Sequence, residues 1–319
     1  MALPTRLITA DRGDAGRRLD LVLRRHLTDL PRATRTRVQA WIASERVRVN
    51  GAVVARVAAR VAFGDAVSVE LPDEEPPVPV LAEAGPLDCL YEDEHLLIVG
   101  KPAGIVSHPT FRHPSGSLLN RVLAHAQGWP AGQRPSLVGR LDKHTSGAVL
   151  IAKTAEAHAR LQRTLASSFS EKTYLAVVFG PVTQPRGTID LPLGRDPDDR
   201  RRVVAVRGEG LPSLTRFERV DEAEVGDCRV ALVRCQLVTG RMHQIRVHLA
   251  ARGWPIVGDA KYGDSSRSTR VVFDRQALHA WRLAFDHPFT NTRVVVHAPV
   301  PEDMQALLDM CGLAAAGTM

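Results

Sequence analysis

A chain of 319 residues with 44% apolar and 24% charged residues is ordinary for a globular protein, and is long enough for two domains, one with a sizeable core. Its 42 Lys+Arg outweigh 35 Asp+Glu for a net charge of +7, a balance that suits an anionic partner such as nucleic acid. No apolar run approaches the ~20 residues of a membrane span. The N-terminus meets Asp11, Arg12 and Asp14 before any long apolar core, so neither membrane nor export is expected and the cytoplasm is. Cys89, Cys228, Cys235 and Cys311 form no CxxC pair, which reads as reduced thiols rather than metal ligands or disulfides.

The first domain is expected over residues 1–75. Leu19, Val22 and Leu23 share one helical face. Thr34 or Thr36 can cap a second helix carrying Val38, Trp41 and Ile42. In Val47-Arg48-Val49-Asn50-Gly51-Ala52-Val53, Asn-Gly between alternating apolar residues signals a hairpin. Arg24, Arg25, Arg32, Arg35, Arg37, Arg46 and Arg48 crowd this segment, and Arg24, Arg35 and Arg48 are expected to touch RNA. Arg18-Leu19-Asp20, the run Ser44 to Gly51 and Gly64-Asp65-Ala66-Val67 together resemble the alpha-L RNA-binding module over about residues 16–71. That resemblance implies docking on folded RNA through shape and phosphate. Prolines 72, 76, 77 and 79 forbid helix and favour an extended linker, drawn here over 76–87.

The second domain is expected over 88–305, with a tail at 306–319. Leu96-Leu97-Ile98-Val99 reads as a buried strand that Gly100-Lys101-Pro102-Ala103-Gly104 breaks; Lys101 can meet a phosphate there, or only the solvent. A helix follows near Leu118 to Ala126, then a polar turn, Gly139 to Ser146. In that turn Asp142 stands between basic residues, which favours its charged form, and a strand, Ala148 to Ala152, follows at once. A carboxylate at the mouth of a rigid strand suits a nucleophile or base facing an anionic substrate. A helix over Glu156 to Leu165 and strands over Thr173 to Phe179, Leu214 to Glu218 and Arg229 to Val238 come next. Helices and strands do not alternate regularly, so the expected fold is α+β, a central mixed or antiparallel sheet flanked by helices, preceded by the small α/β RNA-binding domain.

Thr239 is placed to cap a helix ending near Gly253. At about 100° per residue Met242, Ile245 and Leu249 form its apolar stripe, and Arg246 falls inside it, about 40° from Met242. A guanidinium on a buried edge needs an anion, and Asp142 is a candidate. His243 and His248 fall on different faces of such a helix, unlike the i, i+4 pair of zinc sites. No GxGxxG or GxxxxGK[ST] is present. Neither a metal nor a nucleotide cofactor is expected.

Gly139-Arg140-Leu141-Asp142 with Thr145-Ser146-Gly147, Lys172-Thr173-Tyr174-Leu175-Ala176, and Thr239-Gly240-Arg241 through His243-Gln244-Ile245-Arg246 resemble, in order, three motifs of the RluA-type pseudouridine synthases. Lys101-Pro102-Ala103-Gly104 and Leu278-His279-Ala280 agree in order, and the resemblance covers about residues 88–300. Gly139 and Gly100 depart from the His and Asn usual there, and Gly139 is expected to loosen the turn. The resemblance implies isomerisation of uridine to pseudouridine without a cofactor, on a base taken out of its stack. It implies Asp142, Tyr174 and Arg246 as the catalytic set, with Tyr174 stacking on uracil and Arg246 paired to Asp142. Arg140 would fill the vacated space, and Lys101, Thr145, Arg241 and Gln244 would hold RNA. Large-subunit ribosomal RNA is the expected substrate, transfer RNA the alternative, and a monomer the expected state. A non-catalytic RNA-binding or ribosome-assembly factor on the same fold is the rival reading, against which Asp142, Tyr174 and Arg246 together weigh. A metal-dependent nuclease would need clustered acidic ligands, which are lacking.

Overall fold

The computed structural model describes residues 4–30, 33–71, 80–110, 113–199, 202–206, 208–263 and 270–314. The chain divides between residues 79 and 80 into two compact units. The first contains β1 (Thr5–Thr9), α1 (Leu19–His26), α2 (Arg35–Ala43), β2 (Val47–Val49), β3 (Ala52–Val53) and β4 (Ala66–Glu70). Its four-stranded sheet runs β1-β4-β2-β3, with Leu19, Val22, Leu23, Val38, Trp41 and Ile42 of the helices in one core. Thr34 caps α2, accepting the Arg37 N–H. Asn50 and Gly51 both take positive φ, 52° and 82°, as the two-residue turn between β2 and β3 requires. Asp20 is buried and receives Arg18 through two bonds and Gln39 through one, at 2.8–3.0 Å, so Arg18-Leu19-Asp20 works as an internal clamp. Arg24, Arg35 and Arg48 are exposed, whereas Arg25 bonds Asp11 and Asp14. Arg32 and residues 72–79, with the first part of the expected linker, lie outside the described residues.

The second unit contains β5 (Asp88–Glu92), β6 (Leu96–Lys101), α3 (Leu118–His125), β7 (Ser136–Leu137), β8 (Ser146–Ala152), α4 (Ala155–Ala166), β9 (Glu171–Phe179), β10 (Arg186–Asp190), β11 (Leu193–Arg195), β12 (Val203–Ala205), β13 (Leu214–Val225), β14 (Cys228–Leu237), α5 (Gln244–Ala251), β15 (Leu278–Asp286), β16 (Arg293–His297) and α6 (Glu302–Cys311). Ten strands form one sheet in the order β10-β13-β14-β9-β15-β8-β6-β5, with β16 on β15 and β7 on β8. Its pairings are antiparallel except β15 with β8, so the fold is α+β with a mixed sheet. β11 and β12 pair apart from it. β6 is apolar from Leu96 to Val99, where both its faces are covered. Leu96 and Ile98 pack with Ala157 and Leu161 of α4, and Leu97 and Val99 with Leu118 and Val122 of α3. Among the described residues no helix is long and apolar enough to cross a membrane.

Four expectations need correction. Residues 80–87 are not free linker: Asn120 Nδ2 donates to Leu81 O, Glu83 N to Asn120 O and Arg121 Nη1 to Pro86 O, so α3 holds them. Residues 306–311 are not tail but belong to α6, whose Met304, Leu307, Leu308 and Cys311 enter the main core. β6 runs two residues past Val99, pairing with β8 through Lys101, before the rest of the 100–104 segment ends it. Thr239 does not cap α5. The helix begins five residues later behind a left-handed His243, and the Thr239 hydroxyl binds Leu214 N–H and Gln244 Oε1 instead.

The one parallel pairing brings Ser146 and Gly147 against His279 and Ala280. Gly147 has φ 116°, and a Cβ there would stand 2.6 Å from Ala280 N and closer still to its carbonyl oxygen. Gly104, with φ 90°, has open space around it. Gly147→Ala is therefore expected to cost roughly 2–5 kcal/mol, strain plus backbone displacement, and Gly104→Ala about 1–3 kcal/mol from strain alone. Paired thermal melts check this; equal losses would show that the β8–β15 approach does not demand the glycine.

Candidate active site

The turn 139–145 is tied down through its backbone. Ser107 Oγ donates to Leu141 O at 2.9 Å and accepts Leu141 N–H at 3.1 Å. Gly104 N and Lys101 Nζ both donate to Lys143 O, at 2.8 and 3.2 Å. Arg275 Nη1 donates to His144 O at 3.2 Å and Gln276 Nε2 to Thr145 Oγ1 at 3.1 Å. Asp142 O accepts Thr145 N–H at 3.1 Å, closing the turn. The Asp142 side chain itself is 27% exposed and lines a cavity of about 610 Å³.

Across the cavity α5 presents Arg246. Residues 244–249 are all buried, so this helix is enclosed all round rather than along one stripe, and Arg246 is only 8% exposed. Its Nη1 donates to Asp142 Oδ2 at 2.8 Å. The two-point fork of the guanidinium goes to a second carboxylate: Nε and Nη2 donate to the two oxygens of Asp259 at 2.7 and 2.8 Å. Asp259 also accepts the N–H groups of Lys261 and Tyr262, and the Tyr262 ring lies 5.0 Å from the guanidinium carbon. Burial opposes the charge on both partners, but the pairing outweighs it. The Asp259 carboxyl lies below the usual carboxylate range and the Arg246 pKa above its ordinary value.

Tyr174 of β9 is half-buried in the same cavity. Burial first, then the charge of Asp142, raise its pKa, so the hydroxyl keeps its proton and the ring offers an uncharged face. Lys172, two residues earlier and on the same strand face, also lines the cavity, and its Nζ donates to Leu165 O at the end of α4. Arg140 and Arg241 are exposed and line the cavity too. The would-be Cβ of Gly139 meets open space, so packing does not demand glycine there. A side chain at Gly100 would run into Asp88 on β5.

Three residues expected to hold RNA are internal instead. Lys101 is 1% exposed, and its Nζ donates to the carbonyls of Pro102, Ile105 and Lys143; burial lowers its pKa to about 7. Thr145 is buried, its hydroxyl taken by Gln276. Gln244 is buried with both ends of its amide used: Nε2 on Leu214 O and Thr215 Oγ1, Oε1 on Thr239 Oγ1 and Arg241 N. It joins α5 to β13. Asp259 and Tyr262 were not singled out from sequence; the sole signal for Asp259 was that a buried guanidinium has more donors than one carboxylate satisfies. Among the described residues the group spaced like metal ligands is Asp11, Asp14 and His26 in the first unit. There Arg25 already bonds both carboxylates at 2.7 Å.

A family model described as RNA pseudouridylate synthase matches residues 95–251. The uncharacterized RNA pseudouridine synthase YlyB of Bacillus subtilis is 41% identical over 305 residues, 95% of this chain and 96% of that protein. Ribosomal large subunit pseudouridine synthase D of Nitrosomonas europaea is 40% identical, covering 92% of this chain and 84% of that one. The solved human RNA pseudouridylate synthase domain containing 1 has a TM-score of 0.55 and 28% identity, over 68% of this chain and 86% of that one. The chain belongs to the RNA pseudouridylate synthase family, isomerases that convert uridine in RNA to pseudouridine.

Removing Arg246 leaves Asp259 as a buried carboxylate without its cation. Arg246→Ala is expected to cost about 3–5 kcal/mol of stability and to abolish turnover. Arg246→Lys keeps the charge but cannot span both carboxylates, so it should be intermediate in both. Melting curves and pseudouridine yields on the same preparations check this. Unchanged values for Arg246→Ala would refute the role given to the pair.

Proposed function

We propose that this synthase isomerises uridines of large-subunit ribosomal RNA, acting as a monomer in the cytoplasm with Asp142 as the catalytic carboxylate. The observation that carries the active-site reading is the Asp142 carboxylate at the cavity wall, bonded to Arg246 at 2.8 Å, with Tyr174 in the same cavity. The reaction breaks the N1–C1′ bond, turns the uracil and joins C5 to C1′, and the C5 proton is exchanged for one on N1. No redox change or group transfer is involved, so no cofactor is required. The target nucleotide leaves its stack to enter the cavity. Its base stacks on the Tyr174 ring, Asp142 acts on the nucleotide, and Arg140 fills the space left in the RNA. Arg246 keeps Asp142 aimed.

Support for the ribosomal substrate comes from relatives named for the large ribosomal subunit, at 40% identity in Nitrosomonas europaea. Exposed Arg24, Arg35 and Arg48 on the small first unit supply phosphate contacts, and Arg241 adds one at the cavity.

Asp142→Asn keeps the shape and removes the charge, so it is expected to bind RNA and form no pseudouridine. Tyr174→Phe retains the stack, whereas Tyr174→Ala loses roughly 1–3 kcal/mol of it and turnover with it. Mapping pseudouridine in ribosomal RNA from cells that carry the wild-type protein, Asp142→Asn or neither tests substrate and residue together. Pseudouridine at identical positions in all three would refute the proposal.

Replacing Arg24, Arg35 and Arg48 by Gln together should flatten the log–log salt dependence of RNA binding by about 0.9 for each phosphate no longer neutralised while leaving kcat near wild type. An unchanged slope over a salt series would show that this surface does not touch the RNA.

A further inference from the structure

One imidazole in the cavity wall has no part in the scheme above. His243 heads α5 with φ 57° and ψ 18°, and a left-handed residue other than glycine persists where its surroundings over-determine it. Those surroundings are specific. Its Nδ1 lies 2.8 Å from the Tyr262 hydroxyl, with the two rings edge to face at 5.5 Å. That hydroxyl accepts the Val203 N–H at 3.2 Å and keeps its single proton available for Nδ1. A neutral ring whose Nδ1 is an acceptor carries its hydrogen on Nε2, and Nε2 stands 3.8 Å from Asp142 Oδ2.

We propose that His243 is a positioning residue for Asp142: a neutral imidazole, locked by Tyr262 with its proton on Nε2, which donates to the Asp142 carboxylate when RNA is bound. This rests on the reading of Asp142 given above. The gap must close by about 1 Å to reach hydrogen-bond length, and such contacts are commonly long in a free enzyme and tighten in the loaded one. Arg246 Nη1 and His243 Nε2 both address Oδ2, which leaves Oδ1 for the substrate. The charged groups facing the ring are Asp142, Arg246, Lys261 and Asp259. Burial, with Arg246 and Lys261, pulls its pKa below the ordinary imidazole value against the two carboxylates. The ring therefore offers one proton without adding a second cation beside Arg246.

The test is nitrogen NMR on full-length protein with labelled histidine, together with kinetics on ribosomal RNA. In the wild type at pH 7, the His243 Nε2 should be protonated and Nδ1 not, and Tyr262→Phe should give a mixture of tautomers. His243→Phe, which keeps a ring but no donor, should lower kcat about tenfold or more with KM near wild type. His243→Gln, whose amide N–H can reach the place of Nε2, should recover part of that loss. A proton on Nδ1, or an imidazolium, in the wild type at pH 7 would overturn the proposal, whatever the activity. So would wild-type kcat in His243→Phe alongside inert Asp142→Asn, and in that case the assignment of Asp142 would stand while the role of His243 fell.

Discussion

Arg246 is shared between two carboxylates of different kinds. Asp259 is fully enclosed and accepts the fork plus two backbone N–H groups, while Asp142 is partly open and accepts one N–H. Enclosing these charges carries a desolvation cost of several kcal/mol per ion, offset only by close, saturated pairing. That saturation is on the Asp259 side. Asp259 anchors, Arg246 spans, and Asp142 is held at the end of this chain, with contacts to its Oδ2 among the described residues. An arginine bound to Asp142 alone would have to satisfy its remaining donors with water inside the cavity.

The backbone under Asp142 is fixed by an independent set of contacts. Lys101, Ser107, Gly104, Arg275 and Gln276 reach the turn from β6, the segment after it and the approach to β15. Lys101 shows how a lysine is used internally: three carbonyl oxygens take the place of water around Nζ, and one of them belongs to the residue after Asp142. Arg275 is itself held by Asp303 through two bonds at 2.7 and 2.9 Å, which links the turn to α6. With side chain and backbone separately restrained, little motion remains to be lost when substrate arrives, which is the condition for effective positioning.

The close parallel contact of β8 with β15 explains why two short motifs far apart in sequence belong together. Ser146 Oγ lies 2.9 Å from His279 Nδ1, and Gly147 passes against Ala280 with no room for a side chain. Any residue but glycine at 147 would push β15 from β8. It would also shift Gln276, which holds Thr145 just before β15.

Local patterns were legible where one neighbourhood decides the outcome. The apolar faces of α1 and α2, the Asn50-Gly51 turn and the apolar strands β6, β8, β9 and β14 all follow from residues adjacent in sequence, because hydrogen bonding and side-chain period are local properties. α6 was missed: Met304, Leu307, Leu308 and Cys311 stand at helical spacing, yet residues 306–319 read as tail. The order of short motifs around Asp142, Tyr174 and Arg246 was enough to identify the family. What each polar residue does was settled only by tertiary contacts. Lys101, Thr145 and Gln244 look like surface donors in a basic chain, yet each is enclosed by partners 29 to 131 residues away or just beside it. Asp259 lies 117 positions from Asp142 and 13 from Arg246, with no periodicity to mark it. Sequence spacing specifies which face of a helix or strand a group occupies. Whether that face meets solvent, a carbonyl or a carboxylate depends on which distant segment packs there, and only the folded chain decides that.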